Sequence, residues 1–530
     1  MIENLHEEIN NSLNEGDNAP NQKKQGMSEE ANDSIKDEVG VPSSLARKIS
    51  AKCVMHRMMF KLLLLDIKEI DFREEANLSE KEKLLNKHTQ IITIEKVQTY
   101  AQKKNWAMCI NNSFLFTFNG QFWDLVEKEQ LQYLLGSAAE KLGVDKYTAM
   151  HYVYQKGLVQ QFMAQAILPK PENGSKAVLV NLENGTFEIT PEGGRLREFD
   201  KKDFLAYQLP FAYDPDAKAP MFMAFLNKVQ PDIDCQKVLA EFFGSVFIKT
   251  ETLKLEKALM LYGDGANGKS VFYDLMNAVL GETNVSSYSL QSIMDSSGYY
   301  RAMLANKLLN YASEITGELE AGLFKQLTSG EPVPARMIYC APIIVKDYAK
   351  LAFNCNGLPK NVEHTHAYFR RFLIVPFNVT IADKDQDKQL SQKIIAEELS
   401  GIFNWILEGL KRLLNQKGFT NCDAVNKELA KYKAESDNVN VFLENHEYEE
   451  SGKTYISAKY LSDEYAEFCN SARYKPLNHG NFVKRLIALG IRVDKKNTGL
   501  VAFLKKKPLE LPEKSPLVTS PPSPVDFFEL

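Results

Sequence analysis

The sequence predicts an α/β protein built on a parallel-sheet, nucleotide-binding core, with a helix-rich α+β segment before it and a small helix-and-hairpin segment after it. Three observations carry this. The apolar run Ala258-Leu259-Met260-Leu261-Tyr262 leads into Gly263-Asp264-Gly265-Ala266-Asn267-Gly268-Lys269-Ser270 and then the helix-like stretch Val271 to Leu280, which is the strand, glycine loop and helix order of a P-loop. From about 255 to 380, short β-rich apolar runs alternate with helical segments, the layout of a parallel sheet with crossover helices. The chain, at 530 residues with 44% hydrophobic and 25% charged, has ordinary globular composition and length for several domains.

Along the chain, residues 1–44 are rich in Asn, Glu, Asp, Gln and Ser with almost no aromatic residue, so they read as a disordered acidic tail. Residues 45–220 read as the α+β accessory domain. It is mostly helical from Leu45 to about Ala166, interrupted by a hairpin-like Ser113 to Phe118, the turn Asn119-Gly120 and Phe122-Trp123. A strand pair, Ala177 to Leu182 and Thr186 to Ile189, follows around Asn184-Gly185. Residues 221–385 are the core, entered through helical Phe222 to Ile248. Residues 386–450 read as a helical lid and linker, the amphipathic stretch Leu390 to Leu414 being the lid packed on the core, with a simple core helix equally compatible. Residues 451–507 show helical stretches near Ala458–Cys469 and Gly480–Leu489, then a hairpin from Ile491 to Phe503 around Asn497-Thr498-Gly499, the order of a winged helix. Residues 508–530 are Pro- and Ser-rich and read as disordered, ending in Asp526-Phe527-Phe528-Glu529-Leu530, either a frayed end or a docking peptide.

Composition excludes some classes. The seven cysteines are odd in number, scattered and never spaced C-x-x-C, which argues against a disulfide framework or a zinc ribbon and for a reduced, cytoplasmic protein. No apolar run approaches membrane-spanning length, so no membrane partner is expected. With a net charge of -5, any nucleic-acid contact must come from local basic patches.

The chemistry starts in the glycine loop. Backbone N–H groups from Gly263 to Ser270 can close around phosphate oxygens, Lys269 can reach the β and γ phosphates, and the Ser270 hydroxyl can hold Mg²⁺, so ATP with Mg²⁺ is the expected ligand. Downstream, Lys307 to Ala312 is an apolar strand followed by Ser313-Glu314, where Glu314 can coordinate Mg²⁺ and polarise water, or be a surface carboxylate. Asn356, at the end of Lys350 to Asn356, can contact the γ-phosphate or position water, or merely make a turn before Gly357. Arg370-Arg371 precede an apolar strand, where an arginine can neutralise a transferred phosphoryl group or form an edge ion pair.

The ordered set resembles a known family. Leu261 to Ser270, the strand ending at Glu314, Phe324-Lys325-Gln326-Leu327-Thr328-Ser329-Gly330-Glu331 with Ala335-Arg336, Asn356-Gly357-Leu358-Pro359, Arg370-Arg371 and Trp405 to Leu410 look like superfamily 3 replicative helicases. More narrowly, they are similar to the C-terminal helicase module of phage and plasmid primases and of the poxvirus primase-helicase, over roughly residues 50 to 505. The resemblance implies an AAA+-like motor assembled as a ring, usually a hexamer, with ATP sites between subunits and single-stranded DNA in the channel. It makes Lys269 and Ser270 the Walker A residues, Glu314 Walker B, Asn356 sensor 1 and Arg371 the arginine finger, with Arg370 in reserve. The chain departs from the family where Ser313 replaces a second acid, so that Glu314 alone serves both metal and water or Glu318 assists, and where Glu331 follows Ser329-Gly330 in place of Gly-Gly-Asp.

The channel hairpin is then expected between Arg336 and Leu351, with Lys346, Tyr348 and Lys350 as DNA contacts. Lys484, Arg485, Lys495 and Lys496 belong to a positive stripe in the winged-helix-like segment that suits duplex DNA, or a solvated face. Residues 1 to 160 offer neither paired metal carboxylates nor a cysteine zinc site, so a separate primase is expected. The reading is an ATP-dependent helicase of a phage, plasmid or mobile element acting on single-stranded and forked DNA in the cytoplasm of a bacterial host. Its rivals are a ring-forming initiator that does not unwind and a P-loop small-molecule kinase.

Overall fold

A computed structural model describes residues 58–507, apart from 112–113, 167–176, 314, 316–318, 338–340, 360–361 and 473. Both expected tails, with the Asp526 to Leu530 peptide, lie outside the described residues. From Leu63 onward the described residues belong to one unit of the chain.

Two small antiparallel sheets precede the core. The first is β1 (Ala107–Asn111), β2 (Phe114–Phe118) and β3 (Trp123–Leu125), and the second is β4 (Val178–Leu182), β5 (Gly185–Ile189) and β6 (Gly194–Arg197). Between them lie the helices Lys128–Leu142, Lys146–Met150 and Tyr152–Gln165, packed with Asn86–Lys103. The fully buried Trp123 ring sits 5.5 Å from Phe118 and 5.2 Å from Phe204, and its indole N–H donates to the Lys201 carbonyl at 2.8 Å. Residues 107–111 fall in a stretch expected to be helical, yet they form β1. Five residues hold too little helical period to resist a partner, and Cys109 pairs across to Phe116.

The central sheet is fully parallel. β7 (Ala258–Tyr262), β8 (Val285–Ser286) and β9 (Leu309–Ala312) come first; β10 (Val333–Arg336) and β11 (Pro342–Val345) then make a separate hairpin before β12 (Lys350–Cys355) and β13 (Phe372–Pro376). The spatial order is β13-β7-β12-β9-β8. β13 is buried at every position and β7 at all but its last, as expected of strands covered on both faces. Among the buried polar residues of the sheet, Asn310 in β9 is fully buried. Its Oδ1 accepts from Ser286 Oγ and Tyr288 N, and its Nδ2 donates to the Tyr288 carbonyl, each at 2.9 Å, so it pins the short edge strand β8.

The helix Leu399–Gln416 is part of the main core rather than a cover over it. It packs along Ile233–Ser245 so closely that a Cβ on Gly409 would fall 2.3 Å from the Ala240 backbone, which only glycine permits. The same pair of helices buries Glu241 completely. Its carboxylate accepts from Arg412 Nε at 2.6 Å, Gln416 Nε2 at 3.0 Å, and the Thr420 N–H at 2.7 Å and hydroxyl at 2.5 Å. Glu241→Ala is expected to destabilise the protein by about 3 kcal/mol or more, because it removes the buried acceptor shared by Thr420, Gln416 and Arg412; urea unfolding checks this. The thiols of Cys235 and Cys422, far apart in sequence, also meet in this region at 3.4 Å.

The C-terminal part contains the helices Asn438–Asn445, Ala458–Ala472 and His479–Ala488. Its strands are β14 (Tyr448–Glu450), β15 (Ile456–Ser457), β16 (Val493–Lys496), β17 (Gly499–Ala502) and β18 (Leu504–Lys506). β16 and β17 form an antiparallel hairpin with β15 on its edge, over a core of Phe442, Tyr465 and Phe482. Among the described residues no helix is long and apolar enough to cross a membrane.

Candidate nucleotide site and basic surfaces

The chain leaves β7 and β12 at the same edge, because the two strands run parallel with Cys355 beside Tyr262. That register brings Gly263 to Ser270 next to Asn356, as expected of ligand loops at the carboxyl ends of parallel strands. The loop is held from outside. Asn267, buried, donates from Nδ2 to the Phe377 carbonyl at 3.0 Å, and the Ile381 N–H reaches the Ala266 carbonyl at 2.7 Å. Gly268 stands at φ +83, closed in by Val229, and Ala266 is held at φ +47, an unfavourable value for a residue with a Cβ. The helix Lys269–Leu280 begins with no side-chain cap, so its first amides point their hydrogens at the loop without an internal acceptor, a ready anion site.

Lys269 is buried at 6% exposure, and its ammonium donates to the Gly263 carbonyl and to Asn356 Oδ1 at 3.3 Å. Burial lowers its pKa, opposed by Cys355 and Asp264. A buried cation wrapped by backbone carbonyl and amide oxygens suits a phosphate, which would supply the charge it lacks. Ser270 is exposed at the helix start, free of burial that would keep a metal away. Ala312, which ends β9, lies beside Phe353 of β12, so this strand ends at the same edge. Glu314 and Glu318 lie outside the described residues.

The two arginines sit elsewhere. Arg370 and Arg371 precede β13, which pairs in register Phe372 to Ala258, so they lie at the amino edge of the sheet. They stand a strand length from their own loop, roughly 15 Å for the five residues of β7. Arg371 does not present itself outward as expected of a finger. It is 7% exposed, and its guanidinium donates to the Lys325 carbonyl at 3.3 Å, to Ser329 Oγ at 2.9 Å and to the Ala367 carbonyl. Its three nitrogens are committed to tying the C-terminal end of Ala321–Thr328, with its cap Ser329, to His366–Phe369. Arg370 is the exposed member, joined to Glu256 at 2.6 Å. Although burial pushes the Glu256 carboxyl up, Lys254 and Arg370 hold it below the usual carboxylate range. Glu256 gives no sign in the sequence, since its partner is more than a hundred residues away.

The expected channel contacts divide. Lys346 is exposed just after β11, and Arg301 supports that hairpin by donating to the Pro334 carbonyl at 3.0 Å, which nothing in the sequence around it suggests. Tyr348 is a correction. Its hydroxyl donates to the Glu331 carbonyl at 2.8 Å, with the Gln326 and Leu327 carbonyls at 3.3 Å as further acceptors in reach, so it is tied to the end of Ala321–Thr328 and is not a free stacking ring. Lys350 begins β12 half-buried, with its pKa lowered by burial, which takes it off the exposed face. In the C-terminal part, Arg485 is likewise a correction. It grips the buried Asp437 through Nε at 2.9 Å and Nη2 at 2.6 Å, holding His479–Ala488 to the N-cap of Asn438–Asn445. Lys484, Lys495 and Lys496 are exposed, whereas Lys505 and Lys506 pair with Glu449 and Glu464.

Comparison with known proteins places this arrangement. Residues 95–231 match the family described as D5 N terminal like. Residues 261–371, from β7 to Arg371, match a family of unknown function, DUF5906. The chain is 27% identical over 210 residues to "Putative helicase L207/L206" of Acanthamoeba polyphaga mimivirus, covering 38% of this chain and 22% of that protein. It is 27% identical over 184 residues to "Putative helicase 022R" of Frog virus 3 (isolate Goorha), covering 32% of this chain and 19% of that protein. The chain thus spans about a fifth of each viral relative's length. Among solved structures, the A form of the apo NrS-1 C terminal region aligns with 76% of this chain and 97% of its own at 13% identity and a TM-score of 0.43. The D5-type region and the two viral helicases bear out the resemblance to a primase-helicase-like superfamily 3 module that the ordered motifs carry.

Proposed function

We propose that this chain, a primase-helicase-like module related to viral helicases, is an ATP-dependent replicative DNA helicase of a virus or other mobile element, with an AAA+-like core and a winged-helix-like C-terminal domain. The observation that carries it is the pairing of Lys269 with Asn356 at 3.3 Å beside an uncapped helix start, together with an arginine pair on the far edge of the same sheet. The loop would bind the phosphates of ATP through its backbone amides, Lys269 would neutralise the β and γ oxygens, and Ser270, with the Glu314 that the sequence places after β9, would hold Mg²⁺. Asn356, already oriented by Lys269, faces the γ-phosphate. Arg370 is too far from its own loop to act there, so in this reading it serves the loop of a neighbouring subunit, in a ring that the family resemblance makes a hexamer.

In this reading Lys346 grips the single strand from the β10–β11 hairpin, and Lys484, Lys495 and Lys496 of the C-terminal domain meet the duplex or the fork. Priming is left to a separate protein. The alternative, an initiator that binds DNA in response to ATP without unwinding it, differs in one measurable respect. A forked duplex with a labelled strand is expected to release that strand only with hydrolysable ATP and Mg²⁺; binding and DNA-stimulated hydrolysis without strand release would favour the initiator.

A further inference from the structure

We propose that the outer face of the helices Asn86–Lys103, Lys146–Met150 and Tyr152–Gln165 is a second site for single-stranded nucleic acid, separate from the glycine loop and from the C-terminal lysines. The helix Tyr152–Gln165 spends its inner face on the core, burying Tyr154, Leu158, Val159 and Phe162, with Tyr154 donating to Thr89 Oγ1 at 2.8 Å. Its outer face and the short helix before it are left apolar and open. Tyr147 is 84% exposed, Tyr152 61%, Val153 54% and Met150 48%, a local cluster of exposed rings and aliphatic groups of the kind that marks an interaction surface.

Charge decides the occupant. Residues 146–166 contain no aspartate or glutamate, yet they carry Lys146, His151 and Lys156 in a chain whose net charge is -5; Asn86–Lys103 adds Lys87 next to Asn86, while its exposed acid Glu95 lies more than two turns further along that helix. The acid at the rim, Asp145, is occupied as the N-cap of Lys146–Met150, accepting from the Thr148 N–H at 3.0 Å. Lys156 lies 5.3 Å over the Tyr152 ring, and the His151 ring is 5.1 Å from it. Basic groups beside exposed aromatic rings are the elements that hold single strands, the cations on phosphates and the rings on bases. Next to them an open cavity of about 400 Å³, lined by Asn86, Gln90, Tyr147 and His151, is wide enough for a planar base and offers amide and imidazole groups to its edge. An apolar protein segment would find the rings but would gain nothing from the lysines.

The test is fluorescence anisotropy of a labelled oligothymidine with the full chain and no nucleotide, so its outcome does not depend on the ATPase reading. Wild type is expected to bind with strong salt dependence. Tyr147→Ala with Tyr152→Ala is expected to weaken binding roughly tenfold or more, and Tyr147→Phe with Tyr152→Phe to keep wild-type affinity because the rings remain. Lys156→Glu is expected to weaken binding and flatten the salt dependence. The proposal is overturned if wild type does not bind without nucleotide, or if the folded alanine pair binds as wild type. A loss in the phenylalanine pair overturns it as well. So does an alanine pair whose sedimentation shows altered self-association while its affinity is unchanged, since the face would then be a contact between copies. If the alanine pair fails to fold, unchanged binding by Lys156→Glu is enough to reject it.

Discussion

Lys269→Ala is expected to abolish ATP hydrolysis, lowering kcat by roughly 10²–10³-fold or more, the scale of removing one preorganised charge-stabilising donor. The expectation rests on where the side chain sits. Lys269 is buried and already turned onto the loop, donating to the Gly263 carbonyl and to Asn356. Its charge is therefore preorganised and partly stripped of water, which is the condition under which an ammonium contributes most to a developing phosphoryl charge. The same burial lowers its pKa, and a phosphate in the loop would restore it, so nucleotide binding is expected to strengthen the protonated form. Loss of hydrolysis should come without unfolding, because an alanine leaves no charge in the site; circular dichroism and a phosphate-release assay read the two separately. A variant that hydrolyses ATP normally would sink the nucleotide reading of the loop.

Arg370→Ala is expected to remove hydrolysis by about 10³–10⁵-fold, the contribution of an arginine finger, while leaving the melting temperature near that of wild type. Arg370 is exposed and, among the described side chains, tied to Glu256, so its loss opens no cavity. Arg371→Ala should do the opposite first. It deletes the donors that bind Lys325, Ala367 and Ser329 from a buried position, so about 3 kcal/mol or more of stability is expected to go with it. Because the arginines lie at the amino edge of the sheet and the loop at the carboxyl edge, the proposed finger would act on a neighbour's loop. Mixing inactive Arg370→Ala subunits with inactive Lys269→Ala subunits is therefore expected to recover turnover. No recovery from intact rings, or a stable and inactive Arg371→Ala with an active Arg370→Ala, would reverse the assignment.

Much of the site was legible in the sequence because its parts are local. The strand, Gly263 to Ser270 and the helix after it follow one another without a break, and their spacing states their geometry. Asn356 was legible as the end of an apolar run. The two arginines were legible as a pair but not as individuals, because burial distinguishes them and burial comes from Ala321–Thr328 and His366–Phe369 packing around one side chain. Tyr348 and Arg485 were misread for the same reason. Each looked like an available surface group, and each is used by carbonyls or a carboxylate brought from elsewhere in the chain.

The sequence by itself determined the α/β class, the glycine loop between strand and helix and the order of the elements that follow it, since alternating apolar runs and glycine placement are properties of neighbouring residues. The tertiary structure alone decided which edge of the sheet each group occupies and which charges are already spent. Strand order β13-β7-β12-β9-β8 cannot be read from chain order, yet it sets Asn356 beside Lys269 and puts Arg370 a strand away. The pairs Arg371 with Ser329, Arg485 with Asp437 and Glu241 with Arg412 form between residues with no local signal for one another, because a buried charge takes its partner from whatever packing brings near.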